Sequence, residues 1–241
     1  MGNWLDGFGM AWGMFLAIPC PLRRWNEKAR EKMLVCLPLI GLIVGGVWVG
    51  VYFLPLPETL HAALLAAAPW LVTGFLHLDG YMDVCDAVLS RRDLETRRKI
   101  LKDSHCGAFA VICMVLLALA QWSVFLQEKN PAWLPLLLIP AATRACAGLA
   151  VMHLRPMGTS QYAAMRRGGA DLTAALWIFL ALAVGLPIWL AGSFAPLAAA
   201  VGYGLAAWYG FRQLDGMSGD ISGFALTLGE LAGAAVWALV R

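Results

Sequence analysis

Seven apolar runs, at residues 33–54, 60–78, 106–126, 132–152, 173–191, 196–211 and 222–240, leave this chain few ways to fold. A bilayer core of about 30 Å is crossed by about 20 mostly apolar residues in a helix, whose backbone polar groups are all bonded internally. The runs have that length. Hydrophobic residues make up 61% of the chain and charged ones 14%, with a mean hydropathy of +0.71, which excludes a soluble domain. The expected fold is all-α: a polytopic integral membrane helical bundle of about seven transmembrane helices. With no linker, low-complexity tract or internal repeat, residues 1–241 read as a single domain. Residues 7–22 are too short and too rich in Gly and Pro to assign, so an eighth span, a re-entrant piece and an interfacial helix all stay open. They show no basic n-region or small-residue cleavage site, and are not read as a signal peptide.

Basic residues set the orientation, because Lys and Arg in short loops stay on the cytoplasmic side. The segments 23–32, 91–102 and 155–167, with Arg212, hold 15 of the 18. They alternate with the connections 55–59, 127–131 and 192–195, which are nearly free of charge. The basic loops are therefore expected in the cytoplasm. The net charge of +3 follows from this bias. It points to anionic lipid as partner and to no nucleic acid, since no basic patch with stacking aromatics lies outside these loops. Six cysteines form no CxxC pair and mostly lie in apolar runs, as small core residues do. The 11 tryptophans are mostly accounted for by interfacial belts. Oligomeric state is not set by any of this, and a homo-oligomer stays open.

The polar segment 79–105 is the place for chemistry. Asp79, Asp83 and Asp86 stand at i, i+4 and i+7, within about 60° of one another on a helix. Three acids on one stripe repel unless a cation holds them, and hard oxygen ligands favour Mg²⁺ or Mn²⁺ together with substrate phosphates. A solvated acidic face is the plain alternative. Residues 94–103, after the capping sequence Ser90-Arg91-Arg92-Asp93, are predicted as a short helix with Glu95 facing Lys99. Arg97, Arg98, Lys99 and Lys102 could cradle phosphate or snorkel to lipid headgroups. Lys102-Asp103-Ser104-His105 then brings a cation, an acid, a hydroxyl and an imidazole to the entry of the next span. His77 and His105 are the histidines placed to orient a hydroxyl as general base, although a membrane-edge histidine is more often simply hydrogen-bonded. Late in the chain, Asp215-Gly216-Met217-Ser218-Gly219-Asp220 suits either a loop around phosphate or an interhelical turn. Arg144 and Glu230 lie deep in apolar runs, where charge is expensive and usually functional, with each other or the loop acids as partners. The run His153-Leu154-Arg155-Pro156 adds another cation or an ordinary turn.

This ordered set resembles the cobalamin synthase family, the adenosylcobinamide-GDP ribazoletransferases of bacterial vitamin B12 assembly. The resemblance is carried by Ile18-Pro19-Cys20-Pro21, Leu37-Pro38-Leu39-Ile40-Gly41 and Thr73-Gly74-Phe75-Leu76-His77-Leu78-Asp79-Gly80 with Asp83 and Asp86. It continues through Lys102-Asp103-Ser104 with Gly107, then Ser218-Gly219-Asp220 with Gly223 and Glu230. The family has a second glycine where Phe75 stands, Gly-Gly at Asp215-Gly216 and Thr at Ser218. The resemblance implies that α-ribazole or its 5′-phosphate attacks the diphosphate of adenosylcobinamide-GDP, releasing GMP, in the bacterial cytoplasmic (inner) membrane. In such a reaction Mg²⁺ would sit on Asp79, Asp83, Asp86 and Asp220. His77 or Asp103 would take the proton. Lys102, Ser104, Arg144, Arg155, Ser218, Gly219 and Glu230 would contact substrate. The rival readings are a CDP-alcohol phosphotransferase-like or prenyltransferase-like enzyme, and a transporter with Arg144 and Glu230 on its path. A prenyltransferase calls for two comparable Asp-rich motifs and a transporter for two related halves.

Overall fold

The apolar runs fold here, in a computed structural model describing residues 3–22, 25–127, 132–158 and 169–239, into ten helices. Arg23, Arg24, Arg166 and Arg167, counted above among the loop cations, lie outside the described residues. In chain order the helices are α1 Trp4–Phe15, α2 Arg30–Tyr52, α3 Glu58–Val72, α4 Leu76–Leu89 and α5 Leu94–Ile100. There follow α6 Ala108–Leu126, α7 Leu134–His153, α8 Ala170–Ala191, α9 Ala195–Leu214 and α10 Gly219–Leu239. Among the described residues the only β pairing is a single bridge, Pro156 with Met217.

Five helices (α2, extended by the 3₁₀ turn before it, with α6, α7, α8 and α10) are long and apolar enough to cross a bilayer, and six if α3 and α4 count as one broken span. That is one or two fewer than the seven expected. The helix predicted at 196–211 is present as α9, but its glycines, tyrosines and polar last turn keep it below the hydropathy of a span. Residues 7–22 contain no eighth span. α1 has 12 residues, about 18 Å of helix, well short of the bilayer core. It is capped by Asn3, which accepts from the Asp6 N–H at 2.7 Å, and packs along α2.

The outward faces of α6 and α8 carry Val111, Ile112, Leu116, Trp177, Ile178 and Trp189, all exposed. An apolar surface this broad belongs against lipid. Not every tryptophan belongs to such a belt: Trp48 and Trp237 are fully buried, their indole N–H groups donating to Leu65 O and Ala132 O. Inside the bundle small residues set the spacing. Gly41 and Gly45, one turn apart on α2, meet the α7 backbone at Pro140, Ala141 and Leu137 so closely that no Cβ fits, which is how helices approach without a hydrophobic drive between them.

The expected span 60–78 is instead broken. α3 stops at Val72, and α4 leaves at 92° to it. Thr73 closes α3 by donating its hydroxyl to Pro69 O at 2.8 Å, and Gly74 and Phe75 are both left-handed, at φ +59° and +63°. A non-glycine residue pays about 1–2 kcal/mol for that conformation. Phe75 is half exposed, so little packing offsets it. We expect Phe75→Gly to raise the thermal midpoint by a few degrees in detergent, on the scale of about 1 kcal/mol, with the bend retained. A lowered midpoint would show that the Phe75 ring contributes more than its backbone costs.

Candidate active site

The break throws the acid stripe across the end of the bundle where several loops meet. α10 crosses α4 there at two glycines. A Cβ on Gly80 would lie 2.9 Å from the Asp220 backbone, and one on Gly223 would lie 2.9 Å from His77 O. The late loop and the stripe, more than 130 residues apart in sequence, are thus in contact. Asp79 is exposed and Asp83 half-buried. Asp83 is within electrostatic reach of Asp79, Asp220 and Asp86, and Asp220 within that of Asp79.

Asp86 has other duties. Its Oδ2 accepts from the Gly107 N–H at 2.6 Å and its Oδ1 from the Ala110 N–H at 3.0 Å, so a buried carboxylate 21 residues upstream caps α6. Gly107 leaves room for it: a Cβ would sit 2.5 Å from both carboxylate oxygens. Asp79 and Asp83 have no hydrogen bond or ion pair among the described residues, and Asp220 has only a 3.4 Å bond from the Ser218 hydroxyl.

The predicted short helix is α5, three residues shorter than expected, capped by Asp93 and carrying the Glu95–Lys99 pair at 2.9 Å. Its arginines do not face a phosphate site. Arg97 Nη1 donates to Gln213 O and Oε1, and Arg98 donates to Leu214 O and Asp215 O, satisfying the free carbonyls that end α9. Asp215, left-handed at φ +54°, is the hub of this contact and pairs with Arg98 at 3.2 Å and with Arg155. Met157 and Met217 then join the two loops backbone to backbone at 2.8 Å. Arg155 is therefore held in a structural clamp outside the cavity described below. The pairing of Asp215 was missed from sequence, where it read only as the start of a phosphate loop or an interhelical turn.

Ser218 accepts from the Ile221 N–H at 3.3 Å and caps α10, with Gly219 and Asp220 as its first residues. In the exposed turn after α5, Asp103 accepts from both the backbone N–H and Nδ1 of His105, the latter at 2.6 Å. That hydrogen bond holds the Asp103 carboxyl below the usual range and pushes the His105 imidazole up. No described hydrogen bond or ion pair joins Lys102 or Ser104 to the acids. The turn reaches the stripe through Gly107 and Asp86. Cys106 is exposed here, whereas Cys36 and Cys85 are buried as expected.

Below the acids lies a cavity of about 230 Å³ between α1, α2, α4, α7 and α10. His77, Asp79, Gly219 and Asp220 line it, as does Arg144. The His77 ring lies parallel to Phe15 of α1, within 8°, with centroids 6.2 Å apart. Arg144 and Glu230 are partners, Nη1 to Oε1 at 2.5 Å, both buried, with Arg144 Nη1 also on Pro140 O. If the carboxylates act as one unit, Asp220→Ala should cost most of the activity and adding Asp83→Ala little more. Clean multiplication of two partial losses in steady-state rates would separate the late loop from the stripe.

Fold and site together define a polytopic helical membrane protein with a carboxylate rim over a cavity at one end of its bundle. The chain belongs to the cobalamin-5-phosphate synthase family, whose model matches residues 7–238. It is 36% identical over 246 residues to the adenosylcobinamide-GDP ribazoletransferase of Clostridium botulinum strain Alaska E43, covering 97% of each chain. Over 235 residues it is 36% identical to that of Clostridium perfringens strain 13, covering 93% of this chain and 94% of the relative. The Halalkalibacterium halodurans enzyme of the same name is 34% identical over 261 residues, covering 96% and 94%. No solved structure matches the chain significantly.

Proposed function

We propose that this protein is an adenosylcobinamide-GDP ribazoletransferase, and that the observation carrying the reading is the meeting of Asp79 and Asp220 in the lining of one cavity, with Asp83 within electrostatic reach of both. A free ribose hydroxyl of α-ribazole, or of its 5′-phosphate, forms a bond to the phosphorus attached to cobinamide. The bond from that phosphorus to GMP breaks, GMP leaves with the bridging oxygen, and the proton of the attacking group passes to a base. His77 lines the cavity and is the better placed of the two candidate bases, since Asp103 is occupied by His105 in an exposed turn.

The donor set fits Mg²⁺. Asp79, Asp83 and Asp220 are hard oxygen ligands with no cationic partner among the described residues, and such acids repel when alone. No three His, Cys, Asp or Glu side chains among the described residues are close enough to hold a metal by themselves. This suits an ion usually held by one or two carboxylates and completed by substrate phosphates. When bound, the ion would neutralise diphosphate charge and stabilise the leaving phosphate. The chain's own part is to bring these acids together, to position the nucleophile and to keep Asp86 fixed beside them. Purified protein with adenosylcobinamide-GDP, α-ribazole and Mg²⁺ should release GMP in step with cobalamin formation. GMP released without the corrinoid product, or no turnover, would favour another activated-diphosphate transferase.

The loop end bearing the arginines is the cytoplasmic face of the bacterial inner membrane in this reading, in contact with anionic lipid. In a cysteine-free background Glu95→Cys should label only from inside and Glu58→Cys only from outside. Labelling of both from one side would overturn the orientation.

A further inference from the structure

The backbone of His77 and its ring are held by different parts of the chain. α10 fixes the backbone: the Thr227 hydroxyl donates to His77 O at 3.3 Å, and a Cβ on Gly223 would lie 2.9 Å from the same oxygen. Neither ring nitrogen has a hydrogen-bond partner among the described residues. A histidine that faces a reacting group commonly has one nitrogen bonded to a carbonyl or carboxylate, which sets the ring plane and the tautomer. Here the described contact that fixes the plane is the parallel face of Phe15, with 6.2 Å between centroids and 8° between planes. An offset pair of this kind resists rotation of the ring and leaves its edge open. Both residues line the cavity that also takes in Asp79 and Asp220.

Phe15 is in turn a fixed point. It is the last residue of α1, and the chain leaving the helix is tied back by hydrogen bonds. The Leu16 N–H donates to Trp12 O at 3.0 Å, the Trp12 indole to Ile18 O at 2.8 Å, and the Ala17 N–H to O of Val72, the last residue of α3, at 2.8 Å. Leu16 is buried, and Ala17 lies against Gly74 in the break. The end of α1 is thus bound to the bend from which α4 starts, and His77 is the second residue of α4. We propose that Phe15 is a positioning residue for His77, holding the edge of the imidazole toward the nucleophile beside the acids. A helix too short to span the membrane thereby serves the site. The assignment rests on the ribazole-transfer reading, with His77 as its base.

Phe15→Leu removes the flat face and Phe15→Tyr keeps it. With α-ribazole, adenosylcobinamide-GDP and Mg²⁺, F15L should lower kcat by about tenfold or more, since a slightly misplaced group is costly, and leave both KM values within about twofold. F15Y should keep kcat within about threefold of the wild type, because the stack survives. In a His77→Gln background F15L should cost less than about twofold, since residues that act through one another are not additive. Protein labelled with ¹³C-histidine gives a readout independent of turnover. The imidazole signal that H77Q removes should keep its position in F15Y and move in F15L, where the ring current of Phe15 is lost. This signal decides the matter should the double variant be too slow to measure, and Phe15→Met repeats the comparison should F15L fail to fold. An equal F15L loss in both backgrounds, a loss carried by KM, an H77Q enzyme at the wild-type rate, or a His77 signal unmoved in F15L would overturn the assignment. Absence of product with the wild-type protein would instead remove the transfer reading, while the His77 signal still reports the stack.

Discussion

Asp79→Asn and Asp83→Asn will each lower kcat by about a hundredfold or more while the protein accumulates in membranes at its normal level and unfolds at its normal temperature. The size is that expected when one preorganised group facing developing charge is removed. Stability is spared because neither carboxylate makes a hydrogen bond or ion pair among the described residues, and relief of mutual repulsion offsets any loss. Asp86→Ala should behave differently, although it stands on the same stripe. It removes both acceptors that cap α6, at a cost of about 1–2 kcal/mol for the cap and more for N–H groups left buried. A lower thermal midpoint and less protein in the membrane should therefore accompany its loss of activity. Fluorescence-detected size exclusion after a heating series, beside steady-state rates, separates the two patterns. Full Mg²⁺-dependent rates in D79N and D83N would sink the metal assignment.

The second large effect concerns the buried ion pair. Arg144→Met or Glu230→Leu alone should destabilise by about 3–5 kcal/mol, because each strands one charge where no solvent reaches it. For a chain of this length that is a fall of roughly 10 °C or more in the thermal midpoint. The double variant should regain most of the loss, since two apolar side chains of similar volume replace a desolvated pair at little net cost. Single variants that melt with the wild type would mean that the pair is not buried as charge.

The sequence made most of the helices legible because apolar length is a one-dimensional property, as are the Asp93 cap and the Glu95–Lys99 pair. The break at residues 73–75 was not, since Thr-Gly-Phe occurs inside helices as well and only the left-handed torsions of Gly74 and Phe75 turn the chain. Spacing placed Asp79, Asp83 and Asp86 on one face, but a helix can present one face to two neighbours. Asp86 meets the start of α6 while Asp79 and Asp83 meet α10, and no periodicity distinguishes them. The Arg144–Glu230 pairing was among the expected partnerships because charge in an apolar run must find charge. The engagement of Arg97, Arg98 and Arg155 with the end of α9 was hidden, because carbonyls that need donors leave no mark in a sequence.

Phe75 and Asp215 are both left-handed, although neither is glycine. Tolerance at these positions should follow torsional cost: Gly, Asn and Asp accepted, and Val, Ile and Thr rejected whatever their hydropathy. A saturation library ranked in that order would show that the quantity handed down at each turn is an angle, for which several residues serve.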